Sequence, residues 1–216
     1  MGKAYICSME GVVVKSTGSW YNVRIQDGSQ VECRIRGKFR IKGLKSTNPI
    51  SVGDHVILSL EGNDYLITEI LDRKNYIIRK SVNLSKQVHI IASNMDQAFL
   101  IITLASPATT IGFIDRFLVT AEAYQIPAYL VFNKIDLYDE FDREYHDQIA
   151  KMYSDAGYNC IEVSALNQQN LKSLTDLMID KVTLLSGHSG VGKSTLVNAI
   201  DGNLHLETQK VSDAHQ

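Results

Sequence analysis

The stretch Gly187-His188-Ser189-Gly190-Val191-Gly192-Lys193-Ser194 fits G-x-x-x-x-G-K-[S/T], and its flanks constrain the fold more than any other feature of the chain. The apolar segment K-V-T-L-L-S (181–186) precedes it, and the helix-forming T-L-V-N-A-I starts at Thr195. A strand, a glycine-rich turn and a helix in that order belong to an α/β sheet. Successive N–H groups of such a turn converge on phosphate oxygens, and the helix adds the positive end of its dipole. Lys193 is the residue expected to reach the β- and γ-phosphates and stabilise charge there during transfer, and Ser194 the hydroxyl expected on Mg²⁺. His188 lies where it could touch a phosphate, although filling the loop is the simpler reading. The motif alone does not separate ATP from GTP.

A second motif bears on the base. Asn133-Lys134-Ile135-Asp136 follows the apolar run A-Y-L-V-F (128–132). The Asp136 carboxylate can accept from the ring N–H and the exocyclic amino group of guanine, a pair that adenine does not present. Asn133 is expected to meet the other edge of the base and tie the loop to its neighbours, with the Lys134 stem over the ring. Ser164-Ala165-Leu166 follows another apolar run, N-C-I-E-V (159–163), where GTPases carry a loop whose backbone contacts guanine O6. The order is unusual, because the base loop comes first and the phosphate loop last.

From about residue 88 the chain alternates apolar runs with amphipathic segments. A-F-L-I-I-T-L (98–104) leads to a helical pattern in F-I-D-R-F-L-V-T-A-E-A-Y, and further helices are predicted over about 142–156 and 169–179. The alternation predicts a mostly parallel sheet covered on both faces, with sites at the strand C-terminal ends.

Residues 1–80 read differently. Five short runs rich in Val, Ile and Tyr, E-G-V-V-V-K, W-Y-N-V-R-I, Q-V-E-C-R-I-R, D-H-V-I-L-S-L and D-Y-L-I-T-E-I, are punctuated by turn signals and predict a small OB-like all-β barrel. Charge divides the same way. Residues 1–87 carry fourteen basic against eight acidic side chains, whereas the remainder carries eight against sixteen. The basic module is therefore the candidate for an anionic surface such as RNA. Within it Arg34, Arg36, Lys38, Arg40 and Lys42 alternate along R-I-R-G-K-F-R-I-K, so an extended strand would project all five one way. That row is either a phosphate-tracking stripe or a solvated edge that deters strand pairing. Trp20, Tyr21 and Phe39 could stack on bases, although each is more simply read as packing.

Composition excludes several classes. With 44% apolar residues in 216, the chain can bury one large or two smaller cores. No apolar run is long enough to cross a bilayer and the start lacks a secretory signal, so the cytoplasm is the expected compartment. Cys7, Cys33 and Cys160 are scattered and expected to be reduced, and no histidine or cysteine spacing predicts a zinc site in these residues.

N-K-x-D, then S-A-x, then G-x-S-G-V-G-K-S behind a basic β-barrel resembles the circularly permuted RsgA (YjeQ) family. R-G-K-F-R, I-D-R-F-L and G-H-S-G-V-G-K-S-T-L-V-N strengthen the likeness, which extends over essentially the whole chain. The resemblance implies an N-terminal OB domain, a permuted P-loop GTPase domain and a C-terminal zinc domain. It further implies a cytoplasmic, monomeric GTP hydrolase acting late in small ribosomal subunit assembly, bound to the subunit and its rRNA, stimulated by it and released on hydrolysis. Its nucleotides would be GTP and GDP with Mg²⁺, held by Asn133, Lys134, Asp136, Ser164, Ala165 and the run from Gly187 to Thr195.

The sequence departs from the family pattern after the phosphate-loop helix. No D-x-x-G occurs, V-S-D-A-H-Q contains no H-T-T, and no Cys/His zinc module follows. These residues are accordingly expected to be part of a longer polypeptide, with slow turnover on their own and no side chain here assigned to position the attacking water. Two alternatives stand beside the hydrolase: a nucleotide-regulated RNA-binding module with little catalysis, and a P-loop ATPase with a chance N-K-I-D.

Overall fold

The computed structural model describes residues 8–35, 49–80 and 88–208. It separates into two compact units, divided between Met95 and Asp96. The sequence's change of texture at about residue 88 falls a few residues earlier. The difference is a hairpin that the sequence does not announce.

In the first unit, β1 (Ser8–Thr17), β2 (Trp20–Ile25), β3 (Gln30–Ile35), β4 (His55–Glu61) and β5 (Asp64–Ile70) close into a barrel in the order β1-β2-β3-β5-β4. All pairings are antiparallel except β3 with β5. The register shifts between Val13 and Lys15 in β1 and between Ile57 and Leu58 in β4, and such irregularities bend strands enough to close a small barrel. Alternation sends Val13, Tyr21, Val23, Cys33, Val56, Leu58 and Ile67 inward, where Ile50 joins them. Tyr21 is thus a core residue and not a stacking surface.

The hairpin, β6 (Tyr76–Lys80) with β7 (Val88–Ser93), belongs to this unit. It is fastened through Asp54, whose carboxylate is fully buried. Arg73 Nε and Nη2 donate to the two Asp54 oxygens at 2.6 Å each, Ser51 N–H donates at 2.8 Å and the Ser93 hydroxyl at 2.6 Å. Four donors on one buried carboxylate offset the cost of removing it from water.

The second unit holds four parallel strands in the order β10-β9-β8-β11: β8 (Gln97–Ile102), β9 (Ala128–Phe132), β10 (Asn159–Glu162) and β11 (Thr183–Ser186). β11, last in sequence, lies beside β8, the first. Strand alternation sorts the core into two layers. Phe99, Ile101 and Val131 pack with Leu171, Leu174 and Leu196 of α3 (Leu171–Met178) and α4 (Lys193–Ile200). Leu100, Ile102, Leu130 and Phe132 pack with Ile114, Leu118, Ile149 and Tyr153 of α1 (Ile111–Ala123) and α2 (Glu140–Asp155). Both faces are covered, as the continuous apolar strands require. The second helix begins two residues before the predicted Asp142 because Asp139 caps it, accepting from Asp142 N–H at 2.8 Å.

Candidate nucleotide-binding site

Three loops leave the C-terminal ends of β9, β10 and β11, and Asn133 joins them. Its side chain is buried, with 1% of the residue exposed. Asn133 Nδ2 donates to Val191 O of the phosphate loop at 2.9 Å, and its Oδ1 accepts from Ala165 N–H of the Ser164 loop at 3.1 Å. The backbone of the same residue donates to Ile102 O at 2.8 Å. One side chain therefore spans segments 32 and 58 residues away.

Next to it, the Ser164 hydroxyl donates to Asp136 Oδ1 at 2.5 Å and accepts from Asn167 N–H at 3.0 Å. Ser164 is fully buried and paired in both backbone directions with Gln169, so it orients the carboxylate from a rigid position. Two carboxylate oxygens offer about four lone-pair sites, leaving acceptors for two further donors. Ala165 N–H is already engaged by Asn133, so any contact with a base carbonyl through it has to be shared. Lys134 takes a left-handed conformation, φ 65°, and sends Nζ to Ser106 O at 2.6 Å. Burial lowers the pKa of its ammonium, a shift that Asp136 partly opposes.

In the phosphate loop, Gly187, Gly190 and Gly192 have φ of 145°, 87° and 90°. At Gly192 a Cβ would come within 2.5 Å of Asn133 Nδ2, so glycine lets the loop close onto the base loop. The Val191 side chain is buried in the α3/α4 layer. Lys193 opens α4, and its Nζ donates to Gly187 O at 2.8 Å and His188 O at 2.7 Å, laying the ammonium back across the loop. Burial lowers its pKa from the ordinary lysine value. Ser194 and Thr195 follow in the first turn of α4. Among the described residues no group of three or more His, Cys, Asp or Glu gathers as a metal site. A single hydroxyl such as Ser194 suits Mg²⁺, which keeps waters and takes its other oxygens from phosphates.

Sequence reasoning did not find three participants. Thr109 and Ser106 meet His188 and Lys134, and Arg143 donates to Ile135 O at 3.1 Å while pairing with Glu162 at 3.2 Å. None sits in a motif, and only spatial proximity reveals them. Of the basic row, Arg34 lies within the described residues and its guanidinium covers the Trp20 ring at 3.7 Å, while neighbouring Ile35 packs on the barrel core. Arg36, Lys38, Phe39, Arg40 and Lys42 lie outside the described residues.

Fold and loop order together define a P-loop nucleotide-binding domain whose N-K-I-D loop precedes its phosphate loop. The chain belongs to the RsgA GTPase family: the model of that domain matches residues 70–216, and the RsgA N-terminal domain matches residues 10–65. It is 56% identical over 96% of its length to the small ribosomal subunit biogenesis GTPase RsgA of Christiangramia forsetii, and 54% identical over 95% to that of Flavobacterium johnsoniae. It spans 67% and 64% of those two relatives. The crystal structure of YjeQ from Thermotoga maritima aligns with a TM-score of 0.75 at 32% identity, covering 94% of this chain and 69% of that one. YloQ, a circularly permuted GTPase, aligns at 0.68 and 31%, covering 96% and 69%.

Proposed function

We propose that the chain is the nucleotide-binding part of a GTP hydrolase that serves late small ribosomal subunit assembly in the cytoplasm, acts as a monomer and leaves the subunit on hydrolysis. Asn133 carries this reading, because it draws the base loop, the Ser164 loop and the phosphate loop into one site. Asp136, oriented by Ser164, reads the two guanine donors, and the Lys134 stem covers the ring. The phosphate-loop N–H groups and Lys193 hold the phosphates, and Lys193 neutralises charge gathering on them in the transition state. Ser194 is the protein ligand for Mg²⁺, which supplies charge neutralisation at the phosphates when bound. Arg34, Arg36, Lys38, Arg40 and Lys42 follow the rRNA backbone, with Trp20 beside Arg34 as an aromatic surface. The full polypeptide, including a zinc domain, is the hydrolytic and subunit-bound species.

Titration with GDP and ADP tests the base assignment. GDP should bind at least 100-fold more tightly, and Asp136→Ala should abolish that preference; equal affinities would make the site a general P-loop site. For hydrolysis, phosphate release by the full polypeptide should rise with small subunits and vanish in Lys193→Ala. Release that ignores both would reduce the protein to a nucleotide-regulated binder. Neutralising Arg36, Lys38 and Arg40 should weaken rRNA binding and flatten its salt dependence, whereas an unchanged slope would make the row a solvated strand edge.

A further inference from the structure

We infer that the segment Thr103–Thr109, which leads out of β8 and carries none of the nucleotide motifs, is a positioning strap for the nucleotide site, with Thr109 and His188 as its clasp on the phosphate loop. The inference rests on the guanine-nucleotide reading above.

The strap is rigid by its own bonds. Thr109 N–H donates to Thr103 O at 2.7 Å and Thr103 N–H donates to Thr109 Oγ1 at 3.1 Å, so the two residues close the segment reciprocally. The Thr103 hydroxyl donates to Pro107 O at 2.5 Å across the interior of the loop. Thr103 is fully buried and Thr109 is 7% exposed. This closed segment touches both halves of the site: Ser106 O accepts Lys134 Nζ of the base loop, and Thr109 Oγ1 meets His188 Nε2 of the phosphate loop at 2.7 Å.

Proton bookkeeping fits the clasp. Thr109 Oγ1 accepts from Thr103, which leaves its own proton for His188 Nε2. The other ring nitrogen, Nδ1, lies 3.1 Å from Ser189 O and donates to it. A neutral imidazole satisfies every partner in this arrangement. Phe113 packs edge-on against the ring, with centroids 5.7 Å apart at 87°, and fixes its remaining face. Both ring nitrogens are thus committed to the protein, so the His188 side chain positions the loop backbone instead of binding phosphate itself. The phosphate N–H groups keep their aim because the loop is held from outside as well as through Asn133.

The test uses the full chain, with GDP, GTP and guanosine titrated calorimetrically into wild type, Thr109→Val, Thr109→Ser, His188→Ala and the Thr109→Val/His188→Ala double variant. Thr109→Val keeps the shape and removes the hydroxyl. It breaks the bond to His188 and leaves Thr103 N–H without its acceptor, and should weaken GDP and GTP by about tenfold or more. Guanosine, which lacks phosphates, should bind as to wild type, and Thr109→Ser should restore GDP affinity. His188→Ala should weaken GDP too, by no more than Thr109→Val does, and the double variant should cost no more than Thr109→Val alone. Wild-type GDP affinity in both single variants, equal losses for guanosine and GDP, or additive losses would overturn the clasp. A wild-type protein that binds GDP no better than ADP would overturn the guanine reading instead. If Thr109→Val fails to fold, the GDP-to-guanosine comparison in His188→Ala decides.

Discussion

Gly53 and Gly192 face one steric problem in two different units. Their φ angles are 92° and 90°, and a Cβ on either would strike a neighbour. At Gly53 the obstacle is backbone, the Ser93 carbonyl; at Gly192 it is the Asn133 side chain. Each glycine also lies against a buried polar group that ties distant segments together. Asp54, beside Gly53, gathers Arg73, Ser51 and Ser93 and fastens the hairpin to the barrel. Asn133, against Gly192, gathers Val191 and Ala165 and fastens three loops that share only the site. The same device, a buried polar group hydrogen-bonded to distant segments, builds architecture in one unit and the proposed nucleotide site in the other. Damage to the first should therefore register in unfolding, and damage to the second in binding.

Asp54→Ala puts the largest strain on this distinction. It leaves the Arg73 guanidinium, whose side chain is 10% exposed, without its carboxylate. The expected loss is about 3–5 kcal/mol of stability in urea unfolding, with GDP affinity of the folded protein unchanged. Asn133→Ala should behave in reverse. It deprives Val191 O and Ala165 N–H of their partner at a cost on the order of 2 kcal/mol, or about 30-fold in GDP affinity by calorimetry. Were Asp54→Ala to weaken GDP as much as Asn133→Ala does, the division of labour would fail. Gly192→Ala should come close to Asn133→Ala, about 1–3 kcal/mol, because at a positive φ its Cβ would push Asn133 Nδ2 off Val191 O. The Gly192→Ala loss should appear in GDP binding more than in the unfolding midpoint, and the opposite balance would count against the comparison.

The two units were unequally legible in the sequence. The five barrel strands follow from short Val-, Ile- and Tyr-rich runs between turn signals, and the four strands of the α/β sheet from continuous apolar runs, because a strand covered on both faces has no polar side to alternate with. The three nucleotide motifs were legible because their chemistry requires fixed residue types at fixed spacing. What joins them was less so: Asn133 stands inside a motif, but Thr109, Ser106 and Arg143 act across 79, 28 and 8 residues with no local signature. The β6–β7 hairpin has no clear sequence signature for a similar reason. Its attachment through Asp54 and Ser93 spans 39 residues, and a lone aspartate ahead of a strand reads as a turn residue. Tyr21 illustrates a milder ambiguity, since an aromatic next to Trp20 in a basic barrel allows stacking beside the simpler packing reading, and register decides for packing.

Cys33 and Cys160, the cysteines among the described residues, offer the smallest effect and a direct view of how tightly each unit is sealed. Burial pushes the Cys33 thiol up from its ordinary value of 9.0 to about 12, with Glu32 adding repulsion. Cys160 is also raised by burial, which a bond from Ser154 partly offsets. A thiol pKa higher in the folded than in the unfolded state means that folding favours the protonated form. The stabilisation is present below about pH 9 and is lost as pH climbs toward 12. The barrel's urea midpoint should therefore slide downward over that window, less so in Cys33→Ala. At pH 8 the reactive thiolate at Cys33 is scarce and the side chain is fully buried, so alkylation has to wait for the barrel to open. Mass spectrometry of iodoacetamide-treated native protein should find Cys160 modified before Cys33, and Cys33 only at the rate of barrel unfolding. Modification of Cys33 at the free-thiol rate would mean that the barrel core is open to solvent, and the contrast between a sealed structural unit and an accessible binding unit would lose its physical basis.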